Sequence, residues 1–148
     1  MKKYEVIDIS GDAGIRAFGG SPGELLANAA LGMYSLIVDP QTVRATGHIE
    51  VSVRHASLDG LLLAWLNELI YRFDVDGFLA RDIVVTTSSS TKKADAEDRE
   101  YLLGASLSGE NFDPERHRGK LLVKAATYHN LKVQQNDDYW TAEVIFDI

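Results

Sequence analysis

Between residues 57 and 73, large apolar side chains recur at Leu58, Leu61, Leu62, Trp65, Leu66, Leu69, Ile70 and Phe73. Only an α-helix gathers residues so spaced onto one face, and Ser57 stands where an N-cap belongs. Burying one such side chain is worth about 1.5 to 3 kcal/mol, so this helix is the main ballast of any core the chain can build. The stripe must face an apolar surface of comparable width. Asp76-Gly77 supplies the turn that ends it.

That opposing surface comes from strands. Tyr4–Asp8 and Ile15–Phe18 read as strands around the loop Ile9-Ser-Gly-Asp-Ala-Gly14, in which two glycines bracket Asp12. A plain turn aspartate and an exposed, sharply placed carboxylate both fit that loop. His48–His55 alternates with Ile49, Val51 and Val53 inward; His48 and His55, seven apart, face opposite sides and form no joint site through this element. Phe78–Val85 and Glu100–Leu107 return to extended structure. Thr86–Arg99 turns polar and reads as an exposed, mobile loop or a solvated hairpin tip, and Gly109–Gly119 as a polar connection with a turn at Asp113-Pro114.

A second helix begins at Ser21, with Pro22 at its first position and Glu24 as reciprocal capping-box partner. Leu25, Ala29, Gly32, Met33 and Leu36 form its one buried face, and Asp39-Pro40 stops it. Ala27, Ala29, Ala30 and Gly32 are small enough for close approach to a sheet.

The chain closes on two β-rich runs, Leu121–Val133 and Tyr139–Ile148, about the polar turn Gln134–Asp138, which reads as a hairpin. In the last run Ala142, Val144, Phe146 and Ile148 point one way, and Thr141, Glu143, Ile145 and Asp147 the other. Fraying would expose Phe146 and Ile148, so the end is expected to be pinned to the core. The pattern is an α+β fold: one domain over residues 1–148, with an antiparallel or mixed β-sheet layer packed with two amphipathic helices.

Composition narrows the chemistry. The absence of cysteine excludes disulfides, thiolate metal sites and thiol nucleophiles. A net charge of -7 argues against a broad grip on a phosphate backbone, which depends on Lys and Arg displacing counterions. Neither Gly11–Gly14 nor Gly19–Gly23 has the spacing of a phosphate-binding loop. The charged, alternating N-terminus is no secretory signal and no apolar run reaches about 20 residues, so a soluble cytoplasmic protein is the expectation. His117 and His129, near turns and without a nucleophile, read as surface residues.

One arrangement is chemically pointed. Asp12, Asp147 and the α-carboxylate of Ile148 offer hard anionic oxygens, the ligand type that suits calcium, magnesium or manganese. Lys124 interrupts the apolar run Leu121–Ala126 and either faces solvent, the favoured reading, or counters those carboxylates. No base or nucleophile accompanies them, which weakens the case for a metal-dependent hydrolase.

Taken in order, Asp8–Ile15, Asn28–Met33, Trp65–Phe73, Phe112–His117, Val123–Val133 and Val144–Ile148 resemble the archease family along nearly the whole chain. The resemblance implies an archease-like, non-catalytic protein that serves the GTP-dependent tRNA-splicing RNA ligase as cofactor, promoting its guanylylation and repeated turnover. It implies a divalent cation, calcium first with magnesium or manganese as alternatives, on Asp12, Asp147 and the carboxylate of Ile148. Lys124 carries over as the functionally important lysine. The alternative is a general chaperone of RNA-modifying enzymes such as a tRNA methyltransferase. One departure stands out: the family's opening aspartate is usually followed by histidine, and here that position is Ile9, with Ser10-Gly11 in place of the usual Thr-Ala.

Overall fold

Seven strands and two helices make up the computed structural model, which describes residues 2–91 and 99–148. The strands form two antiparallel sheets, packed with the two helices as the α+β expectation had it. One holds β1 (Tyr4–Ile9), β2 (Asp12–Gly19), β6 (Ala125–Gln135) and β7 (Trp140–Asp147), in the order β1-β2-β7-β6. The other holds β3 (Gly47–His55), β4 (Phe78–Thr91) and β5 (Arg99–Asn111), in the order β3-β5-β4.

Helix α1 (Pro22–Ile37) starts as its sequence dictates, with the Ser21 hydroxyl accepting the Glu24 N–H at 3.2 Å. The expectation of one buried face is wrong: thirteen of its sixteen residues are buried, because it packs against β2 of one sheet and β4 of the other, with α2 alongside. A helix apolar on nearly all sides is what such a position requires. Small residues permit the approach; a Cβ added at Gly32 would lie 3.1 Å from Ile15 Cδ1 and 3.2 Å from Tyr4 Cβ. Its buried polar residues are bonded: Asn28 donates to the Phe18 carbonyl at 2.7 Å and the Ser35 hydroxyl to the Gly32 carbonyl at 2.6 Å.

Helix α2 (Leu58–Asp76) buries Leu61, Leu62, Trp65, Leu66, Leu69 and Ile70, with Leu58 and Phe73 half-buried at its ends. Trp65 is fully enclosed and donates its indole N–H to the Leu26 carbonyl of α1 at 2.9 Å, tying the helices together. The Ser57 side chain caps the helix start, and Gly77, at φ 74°, ends it.

Several strands are longer than their sequences indicate. The polar residues Thr86–Thr91 continue β4 and pair with Arg99–Gly104 of β5, so of the two readings of this stretch the hairpin holds for these residues; 92–98 lie outside the described residues. Between β1 and β2 the expected six-residue loop shrinks to Ser10-Gly11, because Gly11, at φ 82°, can turn the chain within two residues. Residues 121–124 do the reverse and stay out of β6. Lys120 N and Leu121 N donate instead to the Ile37 and Leu36 carbonyls, and Lys120 Nζ to the Ser35 carbonyl at 2.9 Å. A cation and two N–H groups from a distant segment thereby satisfy the C-terminal carbonyls of α1, whose own last turn has no basic residue.

Candidate functional site

The ladder between β2 and β7 runs Ala13↔Phe146, Gly14↔Ile145, Ile15↔Val144, Arg16↔Glu143. Ala13, Ile15, Val144 and Phe146 are buried, so this parity faces the core and the alternate one faces outward. One step beyond Ala13↔Phe146 the same register sets Asp12 across from Asp147 on the outward face, and both are exposed. Directly opposed residues of an antiparallel pair have Cβ atoms about 4.5 to 5.5 Å apart, and like charges so placed repel.

The same face shows how the fold ordinarily treats such a pair. Four residues along the ladder, Glu5 and Glu143 flank Arg16, which donates to Glu5 Oε1 at 2.6 Å and to Glu143 Oε1 at 2.6 and 2.8 Å. Those hydrogen bonds raise the Arg16 pKa, and Lys2 together with Arg16 lowers that of Glu5. Asp12 and Asp147 have no counterpart to Arg16: among the described residues no cationic group lies within ion-pairing distance of either. No trio of His, Asp or Glu side chains is grouped for a metal among the described residues.

The last residues are held partly as expected. Phe146 is fully buried, and the Asp147 carbonyl accepts the Lys124 N–H at 2.8 Å, but Ile148 itself is 39% exposed. It lies one residue beyond β7, where no core remains to receive its side chain. Lys124 is exposed and without an ion-pair partner among the described residues, as the solvent-facing reading had it. Its backbone is nonetheless fixed beside the acidic pair, because Ala126, two residues on, exchanges hydrogen bonds with the Asn67 amide of α2 at 2.9 and 3.2 Å. Ile9 pairs with Asp12 across the β1–β2 hairpin, and its Cδ1 occupies the space above Gly14. Ile9 therefore puts an apolar wall beside Asp12. A groove of about 330 Å³, bordered by Val6, Asp8, Ile9, Asp12, Leu36 and Leu121, opens next to it.

His117 corrects the sequence reading: it is 1% exposed, while His129 is exposed as expected. The ring stacks on Phe112 at 5.8 Å between centroids, and Nδ1 accepts the Asp113 N–H at 2.8 Å. Nε2 then carries the proton and donates to Glu110 Oε2 at 3.0 Å. Arg116 donates to the other oxygen of Glu110, and Arg44 N to Oε2 at 2.6 Å. With Arg116 as the largest influence, aided by Arg44 N and His117, the Glu110 carboxyl is lowered to a pKa of about 2. The signal in the sequence was Glu110 and Arg116-His117 on either side of a proline turn, which folds them together. These groups are occupied with each other and brace the connection from β5 to Lys124.

Two antiparallel sheets enclosing a buried helix, with two exposed aspartates at one end of the larger sheet, define the class: a small α+β domain. Residues 4–148 match the model of the archease protein family (MTH1598/TM1083), and the chain belongs to that family. It is 35% identical to the protein archease of Methanosarcina acetivorans over 99% of this chain and 97% of that one, and 33% identical to that of Pyrococcus furiosus over the full length of both. The solution structure of Methanobacterium thermoautotrophicum protein 1598 superposes with a TM-score of 0.78 at 29% identity, covering all of both chains. The Thermotoga maritima crystal structure described as "an archease, possible chaperone" shares the fold, with a TM-score of 0.61 at 18% identity over 96% of this chain and 94% of that one. No helix among the described residues is long and apolar enough to cross a membrane.

Proposed function

We propose that this protein is a non-catalytic cofactor of the GTP-dependent tRNA-splicing RNA ligase, promoting ligase guanylylation and hence multiple turnover. The observation that carries the reading is the Asp12/Asp147 pair, opposed on neighbouring strands and left without a cation on a face where Arg16 neutralises the comparable glutamates. Asp12, Asp147 and the α-carboxylate of Ile148 would hold a divalent ion, calcium first, with magnesium or manganese as alternatives. When bound, such an ion supplies positive charge against phosphoryl oxygens, which transfer chemistry of this kind requires. Lys124, held beside the pair by its bond to Asp147 and by the Asn67 clamp on Ala126, presents a second, mobile positive charge on a fixed backbone.

The test is multiple-turnover joining of RNA ends by the cognate ligase, with and without this protein. Wild type is expected to raise turnover, and Asp12→Ala and Asp147→Ala to abolish the increase while remaining cooperatively folded. Undiminished stimulation by both variants refutes the reading. Suppression of client aggregation regardless of divalent ions, a tRNA methyltransferase included, would instead establish a general chaperone.

A further inference from the structure

Strand β6 lies at the free edge of the four-stranded sheet and leaves its partner for one stretch. Its pairing is regular at Thr127↔Ile145 and resumes at Lys132↔Glu143. Between those points β7 has one residue, Val144, and β6 has four, Tyr128 to Leu131, so three are extra.

The bulge is anchored at both ends. Thr127 Oγ1 donates to the Ile145 carbonyl at 2.9 Å and accepts the His129 N–H at 3.3 Å. At the far end Leu131 packs on the core, and Asn130 takes φ 51°, which among the described residues no other non-glycine residue does in the positive region. Asparagine tolerates that conformation at low cost, and strained positions of this kind concentrate at functional segments. Just upstream, Asn67 grips Ala126 on both its N–H and its carbonyl. What this scaffold holds out is Tyr128, 66% exposed, with His129 and Asn130 exposed beside it.

A bulge on an edge strand can serve only to block pairing with another sheet, but edges are protected with charge or proline, and this one displays an aromatic ring. We infer that the Tyr128–His129–Asn130 bulge is a contact surface for a protein partner, with Tyr128 as its anchor. Tyrosine, combining a large apolar ring with one hydroxyl, is enriched in protein interfaces and among their energetically dominant residues. The chain's net charge of -7 disfavours RNA as the occupant. Lys124 lies four residues earlier, just before β6 begins and at most about 14 Å away along the chain, so a partner that receives the acidic end is within reach of the bulge as well. The inference rests on the ligase reading, and the partner is that ligase.

The experiment titrates wild type, Tyr128→Ala, Tyr128→Phe and Tyr71→Ala into multiple-turnover ligation, Tyr71 being a 58%-exposed tyrosine on α2. Tyr128→Ala is expected to need at least tenfold more protein for half-maximal stimulation, with Tyr128→Phe and Tyr71→Ala close to wild type and all unfolding midpoints unchanged. An unchanged half-maximal concentration for Tyr128→Ala overturns the contact surface and leaves the ligase reading standing. Absence of stimulation by wild type at any concentration overturns the ligase reading and removes the partner assigned to the bulge.

Discussion

If the opposed aspartates are a cation site, Asp147→Asn must change sign in its effect on stability when the ion is added. Two exposed unit charges about 5.5 Å apart in water repel by roughly 0.8 kcal/mol before salt screening. The β2–β7 register, carried one residue past Ala13↔Phe146, sets Asp12 and Asp147 at about that spacing, with no cationic neighbour within ion-pairing distance among the described residues. Removing one charge in chelator at low salt should therefore stabilise the fold by about 0.5 kcal/mol. Added ion reverses the ranking, because wild type gains RT ln(1 + [ion]/Kd), about 2.7 kcal/mol at one hundred times Kd, and the variant loses most of that gain. Urea unfolding of both proteins in EDTA and in millimolar calcium, magnesium or manganese measures the crossing. A wild-type midpoint unmoved by all three ions, or an Asp147→Asn variant equally destabilised with and without them, refutes the argument.

The remaining expectations concern the frame around the site. Tyr34 is 2% exposed and its hydroxyl has no hydrogen-bond partner among the described residues, so Tyr34→Phe should stabilise the protein by about 1 kcal/mol in urea unfolding. Glu110→Gln should destabilise by about 2 kcal/mol near neutral pH, since it removes the charge that Arg116, Arg44 N and the buried His117 are arranged around. Its pH dependence has a definite sign. The folded Glu110 pKa of about 2 lies below the ordinary 4.5, so the stabilisation is complete above pH 4.5 and disappears as pH falls toward 2. The difference between wild type and Glu110→Gln should narrow across that window. Asn67→Ala leaves two backbone groups of an edge strand unpaired, so amide exchange at Ala126 should accelerate at least tenfold while the core of α2 stays protected.

Local pattern carried the helices and most of the strands of this archease-family protein. The caps at Ser21 and Ser57, the stripe from Leu58 to Phe73 and the alternation from Ala142 to Phe146 depend on spacing and turn chemistry, and a neighbour-free reading recovers them. Composition alone removed thiol chemistry, and the two aspartates were legible as oxygen donors. The partition into two sheets was not legible, because polar Thr86–Thr91 becomes strand only by pairing with β5, and α1 loses its solvent face only because a sheet lies on each side. Nor was the burial of His117, whose partners are brought together by a turn whose direction local sequence does not encode. The opposition of Asp12 and Asp147, 135 positions apart in the chain, belongs wholly to tertiary structure. It follows from the β2–β7 register, which is held by Ala13, Ile15, Val144 and Phe146 beneath it, since a slip of β7 by one residue would turn Val144 and Phe146 to solvent and carry the Asp147 carboxylate inward.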